Sequence, residues 1–217
     1  VKERLIREII GFLNENADYV VLRNYEQLPV GNDARDIDII IRRKQFLKLR
    51  HQLVSLIDSL GWSILTYLDS DRLVTFVCAH IGDDGDTALV QWDFFFDTSV
   101  WGIRLMSADE FLAEKEFNGF LWHSGPASKF LDKYLYDRAV GAQYPERYRA
   151  VRKAAEHLPA VNAKLKDIFS CTDAAACDQA GRKSLMLNAF VRNLTTRPLA
   201  LIGEMSRWDG HTCVIIL

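Results

Sequence analysis

Leu5, Ile6, Ile9, Ile10 and Leu13 recur at helical spacing before "NENAD" breaks the pattern, so the chain opens on an amphipathic helix. "DYVVLRNY" is short and β-branched and predicts a first strand. The segment "EQLPVGNDAR" holds Pro29, Gly31, Asn32 and Asp33, which is turn chemistry, and it delivers the chain into "DIDIIIR", a second strand. From Arg43 a helix carries Phe46, Leu49, Leu53, Leu56, Ile57 and Leu60 on one face, with Gly61 in the position of a C-cap. "WSILTYL", "RLVTFVCAHI" and "ALVQWDFFF" predict three further strands, the last two separated by the acidic turn "GDDGDT". Together these elements make a mixed β-sheet with helices packed on it, an α/β fold.

The pattern changes at "SADE", a capping box with Ser107 as N-cap and Glu110 three residues on. Helical periodicity then dominates to about residue 195. "ASKFLDKYLYDRAVG" ends at Gly141, Pro145 and Pro159 stand where helices can start, and "CTDAAACDQAGRKS" reads as a polar connection. The expected organisation is an α/β domain over residues 1–106, an all-helical unit over 107–195, and a linker with an apolar strand over 196–217. Val1 and the closing "HTCVIIL" read as boundaries inside a longer protein.

Composition narrows the function classes. With 49% hydrophobic and 26% charged residues the chain has the make-up of a globular protein with a substantial core. A formal net charge of -2 supplies no overall basic field, which argues against a polynucleotide partner. Cys78, Cys171, Cys177 and Cys213 show no CxxC spacing and no histidine at zinc-ligand separation, so they read as reduced thiols. No apolar run reaches the roughly 18–20 residues of a membrane span, and the expected location is the cytoplasm.

The candidate chemistry begins in "DIDIII". Alternation along a strand puts Asp36 and Asp38 on one face and Ile37, Ile39 and Ile41 on the other. Two carboxylates roughly 6–7 Å apart along a strand repel each other unless a cation lies between or beside them. A turn-capping role needs one carboxylate and not an alternating pair. Oxygen-only ligands suit Mg2+, with Mn2+ as the alternative. In "VQWDFFFD", Trp92, Phe94 and Phe96 take the core face and Asp93 points the other way. If that strand lies beside the second one, Asp36, Asp38 and Asp93 form a triad able to hold two metal ions roughly 4 Å apart. The alternative for Asp93 is an exposed position on an edge strand.

"YVVLRNYEQLP", the loop after it, "DIDIII" and "VQWDFFFD" resemble the nucleotidyltransferase fold of the DNA polymerase β-like superfamily. There an hDhDh strand follows a short loop after the first strand, and a later strand brings a third acidic residue. More narrowly, the chain resembles the N-terminal domain of bacterial proteins with a thymidylate kinase-like P-loop domain downstream. The resemblance implies a nucleoside triphosphate (ATP or another NTP) as substrate, Asp36, Asp38 and Asp93 as catalytic metal ligands, and an acceptor that is a small molecule or a protein. It also implies a downstream phosphate loop after Leu217. Many members carry Gly-Ser at the end of the first strand, where this chain has Arg23 and Asn24.

Arg23 reads either as a fork to phosphate oxygens or as a structural ion pair with Glu26 or Asp36. Lys129 and Lys133, four apart on one helix face, either lean over a triphosphate or form a solvated face. Asp97 reads as a strand-end residue, Asp83, Asp84 and Asp86 as a solvated turn, and His123 as a helix-end residue. Two functions fit: a Mg2+-dependent nucleotidyltransferase, or a nucleotide-sensing or docking module that has lost its chemistry and regulates a kinase-like domain. The Arg23-Asn24 departure favours the second and the three carboxylates favour the first.

Overall fold

A computed structural model describes residues 1–30, 36–82 and 85–198 and the backbone of 212–215. The loop residues 31–35, the turn residues Asp83 and Asp84 and most of the 196–217 linker lie outside them. The chain divides into two compact units, one of Val1–Phe96, Phe111–Ser124 and His211–Leu217, the other of Asp97–Glu110 and Gly125–Gly210.

The first unit is an α/β assembly with a mixed sheet. Helix α1 (Lys2–Asn16) buries Leu5, Ile6, Ile9, Ile10 and Leu13, the residues its periodicity singles out. Strands β1 (Tyr19–Val21) and β2 (Asp36–Ile41) pair antiparallel, and α2 (Arg43–Ser59) follows. That helix buries Phe46, Leu53 and Ile57, with Leu56 and Leu60 partly covered. Gly61, at φ 77°, takes the left-handed turn that ends it. Then come β3 (Ser63–Asp69), β4 (Leu73–Ile81) and β5 (Thr87–Phe95), joined antiparallel in order. Strand β5 closes back on β2 in parallel, placing β2 in the middle of the sheet between β1 and β5.

One face of this sheet is a single core. Ile37, Ile39 and Ile41 of β2, Val74, Phe76 and Cys78 of β4, and Val90, Trp92 and Phe94 of β5 pack there with α1 and α2. Phe46 of α2 stands 4.9 Å, ring to ring, from Phe94. Period-2 alternation therefore commits the residues in between, including Asp36, Asp38, Thr75, Gln91 and Asp93, to the opposite face.

Several short elements go beyond what periodicity anticipates. Residues 97–107 form a hairpin, β6 (Asp97–Val100) and β7 (Ile103–Ser107), turning on Trp101 and Gly102, both at positive φ. A two-residue turn of that kind is usually announced by Asn-Gly or Asp-Gly, so Trp-Gly gave little signal. Helix α3 (Ala108–Ala113) starts on the expected capping box: Ser107 N and Oγ donate to Glu110 Oε2 at 2.8 and 2.9 Å. Next, β8 (Lys115–Phe117) and β9 (Trp122–Ser124) interrupt the stretch read as helical, and β9 adds in parallel to β1. At three residues each they are too short to declare a period. His123 accordingly lies on a strand, stacked on Tyr25 at 4.3 Å, and not at a helix end.

The second unit is mainly helical. Helix α4 (Pro126–Val140) ends at Gly141, and a 3-10 turn (Glu146–Tyr148) leads into α5 (Arg149–Ala155). Helix α6 (Pro159–Phe169) begins on its proline, as expected. The segment read as a polar connection contains α7 (Ala174–Gln179), whose N-cap Asp173 accepts from Ala176 N at 2.8 Å. Helix α8 (Arg182–Thr196) follows, with Asn193 bridging to both the N–H and the carbonyl of Arg104 on the hairpin at 3.0 Å. The backbone of β10 (Thr212–Ile215) belongs to the first unit, where it pairs antiparallel along β3. Among the described residues no helix is long and apolar enough to cross a membrane.

Candidate metal centre

The parallel pairing of β2 with β5 sets the register Asp36↔Gln91, Ile37↔Trp92, Asp38↔Asp93. Asp38 and Asp93 are thus direct neighbours across the ladder, and Asp36 stands two residues along on the same face. One carboxylate oxygen from each of the three lies within 4.8 Å of the other two. Asp38 and Asp93 are 6% exposed and Asp36 is half-buried, so Asp36 is the most solvent-exposed of the three.

Three like charges this close, two of them largely withdrawn from water, carry a repulsion that some donor or cation must offset. Part of the offset is visible. Arg23, just past β1, donates from Nη2 to Asp38 Oδ2 at 2.7 Å. The ladder leads to this contact, since Leu22 N donates to the Asp38 carbonyl at 2.9 Å and extends the β1–β2 pairing by one step. Asp93 accepts from Thr75 Oγ1 at 2.5 Å and from Gln91 Nε2 at 2.8 Å. Burial pushes the Asp93 carboxyl above its usual range and the nearby Asp36 charge adds to the rise. The Thr75 and Gln91 hydrogen bonds pull it back without cancelling it.

Of the other residues singled out in the sequence, Asn24 is exposed at φ 56°, a left-handed conformation that asparagine tolerates. Lys129 and Lys133 lie on α4 in the second unit. Lys133 donates to Asp137 Oδ1 at 2.7 Å, an i,i+4 pair on its own helix. Asp97 accepts from the Ser99 hydroxyl next to the hairpin turn. Cys78, Cys171 and Cys177 are buried free thiols.

Sequence reading passed over Thr75 and Gln91. Gln91 could have been found, because alternation in "VQWD" places it on the face of Asp93. Thr75 could not, since its position opposite Asp93 follows only from the β4–β5 register.

Three carboxylates with no nitrogen or sulfur donor make a hard-oxygen set that fits Mg2+ or Mn2+ better than zinc or copper. No family model and no curated protein matches the chain. The fold is similar to the crystal structure of an antigenic nucleotidyltransferase-like protein from Paracoccidioides brasiliensis, at 14% identity and a TM-score of 0.42. That alignment covers 94% of this chain and 91% of the other. Likeness at this level carries no inference about activity.

Proposed function

We propose that the protein is a Mg2+-dependent nucleotidyltransferase that moves a nucleoside monophosphate from an NTP to a hydroxyl or phosphate of a small-molecule or protein acceptor. The observation that carries this reading is the parallel β2–β5 register, which aligns Asp38 with Asp93 and brings Asp36 into the same cluster. Asp36, Asp38 and Asp93 would hold the cation. When bound, the cation supplies charge for the triphosphate and lowers the pKa of the attacking hydroxyl. Asp93 is as buried as Asp38 and is the group assigned to take the acceptor proton, its basicity raised by burial. Arg23 is within reach of any phosphate held at Asp38, and its planar fork suits bidentate contact to phosphate oxygens. Catalysis would come from positioning and charge neutralisation, as in phosphoryl transfer generally.

The Arg23–Asp38 ion pair favours a second reading, in which a cationic side chain has taken over part of the cation's place and the domain senses nucleotide or docks a downstream kinase-like domain. Calorimetric titration of ATP, GTP, CTP and UTP, with and without Mg2+, separates the two. The transferase reading expects Mg2+-dependent binding by the native chain, loss in the Asp36→Asn, Asp38→Asn double variant, and pyrophosphate release once an acceptor is supplied. Absence of nucleotide binding by the native chain would sink the transferase and the sensor together, leaving the docking role.

A further inference from the structure

Both oxygens of Asp93 accept a side-chain hydrogen bond, Oδ1 from Thr75 Oγ1 at 2.5 Å and Oδ2 from Gln91 Nε2 at 2.8 Å. The donors come from fixed places in the sheet. Thr75 is the register partner of Asp93 across the antiparallel β4–β5 pair, and Gln91 precedes Asp93 by two residues on β5, on the same face. Gln91 is also the register partner of Asp36 on β2, so it neighbours a second carboxylate of the cluster across the ladder.

A carboxylate held by one donor can still rotate about its terminal torsion, which is broad. Two donors on separate oxygens fix the plane. An ionised carboxylate has about four lone-pair sites, and two donors leave about two of them for a further ligand. In this structure an Asp93 oxygen lies within 4.8 Å of oxygens of both Asp36 and Asp38.

We propose that Thr75 and Gln91 are positioning residues of the carboxylate centre: they fix the plane of the Asp93 carboxylate so that its remaining lone pairs meet a divalent cation shared with Asp36 and Asp38. The inference rests on the metal-dependent reading above and adds the residues that set its geometry. Outer groups of this kind orient the ligands that touch a metal, and removing one typically weakens metal affinity by roughly 10–100-fold. A purely structural role, in which a buried carboxylate simply needs donors, would appear in stability and leave cation affinity alone.

The test is titration with Mn2+, followed by loss of the free-ion electron paramagnetic resonance signal, for the native chain and its Asp93→Asn, Thr75→Val, Thr75→Ser and Gln91→Leu variants. All are held well below their unfolding temperatures, which are measured separately in chelator. The expected result is Mn2+ binding by the native chain, loss in Asp93→Asn, and roughly 10–100-fold weaker binding in Thr75→Val and in Gln91→Leu. Near-native binding should return in Thr75→Ser, which restores the hydroxyl without the methyl. Native-like affinity in Thr75→Val and Gln91→Leu, beside loss in Asp93→Asn, overturns the positioning role and leaves the metal site standing. Equal weakening in Thr75→Val, which keeps the methyl, and in Thr75→Ser, which keeps the hydroxyl, also overturns it, because the hydroxyl would then not be what sets the affinity. Equal behaviour of the native chain and Asp93→Asn removes the metal reading and the inference together. Should Thr75→Val fail to fold, Gln91→Leu, at a half-buried position, decides the matter.

Discussion

In the first unit, oxygens of three aspartates stand within 4.8 Å of one another. In the second, acids meet cations: Asp137 pairs with Lys133 at 2.7 Å, Asp178 with Arg152 at 2.7 Å, Asp167 with Arg192 at 2.9 Å, and Glu110 with Lys164. Asp137 is more deeply buried than Asp38 or Asp93, at 2% against 6% exposure. Burial of an acid is thus not the functional signal in this molecule. On the metal-dependent reading proposed above, convergence of like charges is, because a paired acid is stabilised in place whereas a cluster of acids stores repulsion that a cation would relieve.

The largest effect should come from removing charge from the cluster. Asp38→Asn is expected to weaken Mn2+ binding on the order of a thousandfold, the loss of about 4 kcal/mol for one charge near 4 Å at an intermediate dielectric. Retained affinity in isothermal titration would mean that Asp38 does not ligate the cation.

Stability of the metal-free protein should respond with opposite signs in the two units. Asp137→Asn should destabilise by about 2 kcal/mol, since it breaks a largely buried pair and leaves Lys133 without its helix partner. Asp36→Asn should instead stabilise by about 1 kcal/mol, the scale of one like-charge interaction in a mostly aqueous dielectric. Urea midpoints in chelator measure both, and equal signs would dissolve the contrast.

The pH dependence divides the same way. The folded-state pKa of Asp93 is raised above its ordinary 3.8, chiefly by burial. Its contribution to stability is therefore full below 3.8 and lost as pH rises through the raised value. Glu110 is the reverse. Burial works to raise it, but the hydrogen bonds from Lys164 and Ser107 carry it below its ordinary 4.5, so its stabilisation is present above 4.5 and lost as pH falls through the lowered value. Urea midpoints from pH 3 to 7 should steepen upward with pH in Asp93→Asn and flatten in Glu110→Gln. The smallest effect is Ser107→Ala, expected to cost about 1 kcal/mol through loss of the α3 cap, read from the thermal midpoint.

Binary patterning explains how much of this was readable in advance. Helices α1 and α2 follow from period 3.6, since each buries one face, and strands β1 to β5 follow from β-branched and aromatic runs bounded by turn chemistry. Alternation alone also put Asp36, Asp38 and Asp93 on the faces opposite Ile37, Trp92 and their neighbours. The capping box at Ser107 and the proline starts of later helices are local chemistry, set within three or four residues. The hairpin at Trp101-Gly102, strands β8 and β9 and helix α7 escape the pattern because segments of three to six residues repeat a period too few times to stand out.

Which strands would neighbour each other was beyond any local pattern. The pairing of β2 with β5 joins residues more than fifty positions apart, and only that register turns two separate acidic strands into one cluster. The same holds for Thr75 on Asp93 and for Arg23 settling on Asp38. Side-chain identity and face are written into local periodicity. The partner across the ladder is chosen by the whole sheet, through burial of its common core and satisfaction of its backbone hydrogen bonds.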